Sequence, residues 1–248
     1  MHGLVVFLTN LLNSIFGAPV SALQQAIGFH PANPSAPISA PFTLELVTAL
    51  FLVAFFLAVR FTLNVEQPGF LQHMAEMIND FVVDQAEAII GHGYEPHIAF
   101  ATVIGLFLVI CNCYGLLPGV ETPTADPVVP LGIALPTFVY YNYIGFRTQG
   151  IWGYIKEFMG PVWWLVPLML PVEIISHLAR NLSLTVRLYA NMLASDLLVL
   201  VFFSMIPLVV PIAFLALHLG VAMIQAYVFM LLALIYLAGA MTHVEEVH

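Results

Sequence analysis

The 248-residue chain is 61% hydrophobic and only 8% charged, with a mean hydropathy of +0.99. Ordinary soluble domains are roughly 45–50% apolar and about 25% charged, so 5 basic and 14 acidic residues are too few to cover a soluble protein of 27.3 kDa. A net charge of −9 with a single lysine also excludes nucleic acid as a partner, since phosphate recognition needs a basic surface. The composition therefore predicts a polytopic membrane protein in a lipid bilayer.

The N-terminal 41 residues combine an apolar stretch with a proline-rich loop. The opening MHGLVVFLTNLLNSIFGA has no basic residues before its apolar run, and the first positive residue of the chain is Arg60, which argues against a cleaved signal peptide. We expect residues 1–41 to form an interfacial segment on the outer face of the membrane.

Long apolar runs without alternation follow, and they predict helices rather than strands. Three membrane spans are predicted before the C-terminal third, at residues 42–63, 97–117 and 128–146. Residues 69–91 separate the first two and have an apolar stripe opposite an acidic face, so this helix should lie on the membrane surface. The stripe is Leu71, Met74, Ile78, Phe81, Val82 and Ile89, and the acidic face is Glu76, Asp80, Asp84 and Glu87.

The C-terminal third contains two unusually long apolar runs, at residues 172–205 and 208–240. At 1.5 Å per residue each helix would be roughly 50 Å long, against a hydrocarbon core of about 30 Å, so both must tilt steeply or kink. Pro207 and Pro211 mark the turn between them. We therefore predict an antiparallel, slanted hairpin over residues 163–240, followed by a tail at 241–248, in an all-α fold of about five transmembrane helices plus the surface helix.

The few cations outside the hairpin predict the orientation. Arg60 follows the first span, and Arg147 and Lys156 follow the span at 128–146, which places these ends in the cytoplasm. The N-terminus is then outside and the C-terminus is cytoplasmic.

The first hairpin helix holds four charged residues at membrane depth, where each ionised group costs about 2.5–3.5 kcal/mol at the centre of a helix. Glu173, Arg180 and Arg187 are seven residues apart and therefore lie on one helical face, which Ser176 and Asn191 share. Asp196 is nine residues beyond Arg187, so it points to the opposite side, about 13.5 Å further along the helix.

The second hairpin helix contributes His218 and Gln225, which are also seven residues apart. In an antiparallel hairpin, residues at equal depth have nearly constant sums of residue number. The sums are 412 for Arg187 with Gln225 and 414 for Asp196 with His218. The spacing therefore predicts Arg187 beside Gln225 near the membrane centre, and Asp196 beside His218 nearer the outside.

At these residues the chain resembles the a subunit of the F-type ATP synthase. The stretch RLYANMLASD matches that family's pattern of arginine, asparagine four residues later and an acid nine residues later, and HLGVAMIQ matches its histidine and glutamine. Glu173 and Arg180 look like the family's glutamate and basic residue that precede the arginine. The loop NCYGLLPGVETPTAD resembles a further family stretch and would supply Asn112 and Asp126.

The resemblance implies a stator subunit with two offset proton half-channels against a ring of c subunits. Protons would pass Asp196 and His218, neutralise a ring carboxylate, and leave near Glu173, while Arg187 displaces the proton and blocks a direct leak. Partners would be the c-ring, the peripheral-stalk b subunit and the remaining F0F1 complex. The subunit would have no catalytic site, cofactor or metal. The order of acid before His218 favours a bacterial inner-membrane protein, and the short Asp196 side chain would need a water to reach the imidazole.

Simpler roles exist for each of these residues. Arg187 and His218 could be structural hydrogen-bonding groups between helices, and Glu173 and Arg180 could neutralise each other. Ser176 and His177 are weaker candidates for the proton path. The acidic face of residues 69–91 could be solvated or could dock the stalk. A self-contained ion-coupled secondary transporter is the alternative function, although such proteins normally have two similar halves.

Overall fold

The computed structural model describes residues 2–26, 37–64, 68–117, 120, 122–159, 166–205 and 210–241. These ranges contain helices and no strand, so the all-α prediction is confirmed. The helices are α1 (His2–Ala26), α2 (Ala40–Thr62), α3 (Phe70–Ile90), α4 (Ile98–Cys113), α5 (Val128–Met159), α6 (Val166–Met205) and α7 (Val210–Met241). Three single 3₁₀ turns, Glu95–His97, Tyr114–Leu116 and Pro123–Ala125, flank α4 and precede α5.

Six helices of the described ranges are long and apolar enough to cross a membrane, one more than the five predicted. The additional one is α1, which we expected at the interface; whether it crosses or lies flat stays a prediction. Its Asn13 side chain brackets the backbone of Ile38, donating from Nδ2 to the carbonyl at 3.0 Å and accepting from the N–H at 2.9 Å. Thr9 also donates to Thr43 of α2 at 3.1 Å. These bonds hold α1 against the start of α2.

The amphipathic helix α3 docks on α4 and α7 through a narrow part of its apolar side. Val82 and Ala86 are buried against Ala101, Met230 and Leu234. Half of the predicted stripe is exposed instead, namely Leu71, Met74 and Phe81. The four acidic side chains of α3 are all exposed, which fits a solvated face.

Helix α5 extends beyond the predicted end at residue 146. It runs to Met159 with a break at Gly150, whose φ of 73° and ψ of 164° are not helical. After this break residues 151–159 lie against the preceding part of α5, where the Tyr154 hydroxyl donates to Asn142 Oδ1 at 2.7 Å. Gly145 provides the clearance, since a Cβ there would lie 2.5 Å from the Tyr154 ring. Arg147, Thr148 and Gln149 interrupt the apolar run, and the apolar stretch that follows is too short to predict this second helical piece.

The long C-terminal helices α6 and α7 contain 40 and 32 residues, or about 60 Å and about 48 Å at 1.5 Å per residue. The predicted hairpin helices are thus present, and α6 is longer than its apolar run; the steep tilt stays a prediction. The main core lies between α4, α5, α6 and α7, where the largest buried side chains are Leu108, Leu188, Met192 and Phe229. Residues 206–209, including Pro207 of the predicted turn, and residues 242–248 of the tail lie outside the described residues.

Candidate functional site

His218 and Asp196 meet as the hairpin arithmetic predicts. The imidazole is fully buried, and its Nδ1 lies 3.4 Å from Asp196 Oδ1 and 2.8 Å from Ser195 Oγ. The other ring nitrogen, Nε2, lies 3.1 Å from the Asn112 carbonyl oxygen. Every ring nitrogen therefore has a partner, and the carboxylate approaches the imidazole directly, at a distance that needs no bridging water.

Two threonines of the loop between α4 and α5 complete this outer cluster, and the sequence analysis missed both. Thr122 donates to Asp196 through its N–H at 3.3 Å and through its hydroxyl at 2.9 Å. Thr124 donates to Asn112 Oδ1 at 2.7 Å, and Asn112 Nδ2 donates to the Ala222 carbonyl at 3.2 Å. Their proximity to Asp126 in the PTAD stretch was the available signal, but a threonine in a loop gives no sign of which helix it contacts.

Asp126, which the family resemblance suggests as a site residue, caps α5 by accepting the Val128 N–H at 3.1 Å. A carboxylate at this position satisfies a free amide and interacts favourably with the positive end of the helix dipole. Capping explains its presence; a role in the path stays a prediction.

A second, inner cluster surrounds the other end of α6. Glu173 Oε1 lies 3.4 Å from His177 Nε2, and His177 Nδ1 lies 3.4 Å from the hydroxyl of the buried Tyr141. Arg180 lies 5.8 Å from the ring centroid of Tyr236, within range of a cation–π contact, and the Tyr236 ring is 5.8 Å from that of Tyr141. Among the described residues Glu173 therefore pairs with His177. The simpler role considered above paired it with Arg180.

Arg187 lies between these two clusters and is exposed. Within the described ranges no hydrogen bond, ion pair or ring contact joins it to another residue. By helical rise, Asp196 is about 13.5 Å along α6 in one direction and Glu173 about 21 Å in the other. Ser176, Asn191 and Gln225 are half-buried, and the predicted approach of Gln225 to Arg187 stays a prediction.

The face of α6 around Arg187 is built from small side chains. Ser183, Ala190 and Ala194 flank the arginine and are exposed with it. Leu188 and Met192, about 100° and 140° around the helix from Arg187, are buried in the core. The residues therefore divide α6 into a packed side and a free side, and a second helix could approach the free side closely.

Comparison with known proteins identifies the family. The model of the ATP synthase A chain family matches residues 41–238. The ATP synthase subunit a of Koribacter versatilis is 47% identical over 238 residues, covering 96% of this chain and 97% of its own length. Those of Solibacter usitatus, at 40% over 234 residues, and Helicobacter hepaticus, at 38% over 208 residues, cover 94% and 83% of this chain and 99% and 92% of their own lengths.

These matches displace the alternative of a self-contained transporter. Together with the six apolar helices, relatives from bacteria indicate a multi-pass protein of the bacterial inner membrane. The chain belongs to the F-type ATP synthase subunit a family, a membrane subunit of that complex that carries no catalytic site of its own.

Proposed function

We propose that this chain is the proton-conducting stator that faces the c-ring, with an inlet and an outlet half-channel separated by Arg187. The observation that carries the proposal is the arrangement along α6, where two clusters of titratable side chains flank one exposed arginine. Asp196 and His218 form the inlet on the outer side, and His177 with Glu173 forms the outlet on the cytoplasmic side.

The chemistry follows from which groups can exchange protons. Imidazole and carboxyl groups can each bind and release a proton, whereas a guanidinium does not deprotonate in proteins. A proton relayed by His218 neutralises a ring carboxylate, which can then travel through lipid. When that carboxylate returns, Arg187 stabilises its ionised form and the proton leaves through the outlet. A potential of about 150 mV contributes about 3.5 kcal/mol per elementary charge that crosses the membrane.

The fixed charge of Arg187 also prevents a leak. A continuous chain of titratable groups from Asp196 to Glu173 would conduct protons without rotation. A permanent positive charge between the clusters repels a proton that approaches from either side, so transfer requires the ring.

The ring would contact the free side of α6. Ser183, Ala190 and Ala194 allow the backbone of a second helix to approach, which brings a ring carboxylate within reach of Arg187. The exposed acidic side chains of α3 offer a docking face for the peripheral-stalk b subunit, and the assembled F0F1 complex supplies the catalytic subunits. The positive-inside rule supports a cytoplasmic location for the chain segments that carry Arg60, Arg147 and Lys156, with the N-terminus outside and the C-terminus inside.

Substitution of Arg187→Gln in the complete complex tests this proposal. We expect ATP-driven proton pumping and proton-driven ATP synthesis in membrane vesicles to fall to background, because no other described residue between the two clusters has a permanent positive charge that would displace the ring proton. Arg147→Gln is the matched control, because Arg147 is an exposed arginine of α5 that lies outside both clusters, and this variant should retain both activities. The amount of subunit a that co-purifies with the c-ring checks assembly. ATP synthesis at the normal rate by assembled Arg187→Gln would overturn the proposal.

A further inference from the structure

The loop between α4 and α5 is fastened to α6 by one buried residue, Thr122. Its N–H donates to one oxygen of Asp196 at 3.3 Å and its hydroxyl to the other at 2.9 Å. Only 2% of Thr122 is exposed, although it lies in a loop. A single residue thus engages both carboxylate oxygens and fixes the plane of the group.

This plane matters because the imidazole is at the limit of hydrogen-bond distance. Asp196 Oδ1, the oxygen that accepts the Thr122 hydroxyl, is also the oxygen 3.4 Å from His218 Nδ1. Because Nε2 faces the Asn112 carbonyl and must donate to it, Nδ1 can donate to the carboxylate only when the ring is protonated. This pair is already longer than the preferred N–H···O distance of about 2.7–3.2 Å, so a small rotation of the carboxylate would separate the two groups. The Asp196 side chain is 23% exposed, and solvent could otherwise draw it away.

Thr122 and His218 also lie close to the same residue, Gly115. A Cβ at Gly115 would lie 2.7 Å from His218 Cε1 and Nε2, and it would also collide with the Thr122 hydroxyl oxygen. The hydroxyl and the imidazole therefore converge on the same glycine. The Thr122 hydroxyl thus contacts the carboxylate and also lies, with the imidazole, next to the space that Gly115 leaves free.

We infer that Thr122 is a positioning residue of the proton inlet, which holds the Asp196 carboxylate at the orientation in which it faces His218. The inference rests on the proposed inlet function of that pair. Thr122 exchanges no proton itself; its two donors stabilise the ionised carboxylate and set its direction.

Thr122→Val and Thr122→Ser, made in the complete complex, test the inference. Valine keeps the shape and the backbone N–H but loses the hydroxyl, whereas serine keeps the hydroxyl and loses a methyl group. We expect passive proton conduction through F0 to fall roughly tenfold in the valine variant, the order of one charge-assisted hydrogen bond. The serine variant should keep at least half of the normal rate.

Thr137→Val is the matched control, because Thr137 is as buried as Thr122 but its hydroxyl donates to the Ile133 carbonyl of its own helix. Its conduction should be normal. Equal rates in Thr122→Val and the parent complex, or equal losses in the valine and serine variants, would overturn the inference. If the valine variant does not assemble, Thr122→Ala, which also lacks the hydroxyl, takes its place, and equal conduction in the alanine and serine variants would overturn the inference.

A parallel His218→Ala variant separates this inference from the proposed function. Normal conduction in that variant would overturn the inlet itself. Lost conduction in His218→Ala together with normal conduction in Thr122→Val would leave the inlet standing and reject only the role of Thr122.

Discussion

Gly115→Ala should disable the inlet without changing a titratable group. An alanine Cβ at this position collides with the Thr122 hydroxyl oxygen and lies 2.7 Å from two atoms of the His218 ring, whereas ordinary contacts begin at 3.4 Å, so it displaces both groups of the inlet. The ring must therefore retreat by about 0.7 Å. Its Nε2 is 3.1 Å from the Asn112 carbonyl oxygen. A retreat of the ring away from that carbonyl therefore lengthens this contact beyond hydrogen-bond distance.

The cost is large because the imidazole is fully buried and held at both nitrogens. Overpacking typically costs about 1–3 kcal/mol, which corresponds to a decrease of about 5- to 150-fold if it falls on the rate-limiting transfer. Passive proton conduction in vesicles that hold the assembled complex measures it.

Gly220→Ala is the control, since a Cβ at Gly220 meets nothing within 4 Å. It lies in α7, two residues from His218, and alanine favours a helix interior by about 1 kcal/mol over glycine. Conduction should be normal in this variant. Normal conduction in assembled Gly115→Ala would refute the reasoning, because it would mean that the inlet tolerates displacement of its imidazole.

Two further predictions concern the two clusters. Cysteines replacing Asp196 and His218 should together bind Cd²⁺ added from the outside, measured as protection of the two thiols from a maleimide reagent, whereas neither single replacement should be protected; a double variant that Cd²⁺ does not protect would contradict the depth pairing or its access to the outside. Tyr141→Phe removes the hydroxyl beside His177 and should slow ATP-driven pumping about two- to tenfold, the range of one neutral hydrogen bond. The Tyr140 hydroxyl instead contacts His97 at 2.8 Å, outside this cluster, so Tyr140→Phe should pump normally. Equal effects of the two variants would refute a specific role for Tyr141.

The pairing of Asp196 with His218 was predictable because it depends on one geometric rule. Both residues lie in helices of constant rise that belong to one hairpin, so depth follows from residue number alone. The existence of the helices followed from apolar runs, for which the bilayer permits few alternatives. The helix bounds follow less directly from the apolar runs, because α5 continues past the short polar stretch at Arg147 and bends at Gly150.

The remaining site residues were not predictable in the same way. Thr122 is 74 residues from Asp196 in the chain, and Tyr141 is 36 residues from His177. No rule of periodicity relates positions in separate elements, because their contact depends on how α4, α5 and α6 pack. The sequence also cannot distinguish the tyrosine that faces the inner cluster from its neighbour Tyr140, since both are aromatic residues of one apolar helix.

The difference between Arg180 and Arg187 supports a site that another protein completes. The two arginines are seven residues apart on one face of α6, and both are exposed. Arg180 has an aromatic partner within this chain, Tyr236, whereas the described ranges offer Arg187 no polar or aromatic contact. A charge at the membrane centre costs about 2.5–3.5 kcal/mol when nothing compensates it. Because the neighbouring residues of Arg187 are small and exposed, a second helix has room to bring the compensating acidic group close to it. Once that acidic group is protonated, its attraction to Arg187 is lost and it can move away again.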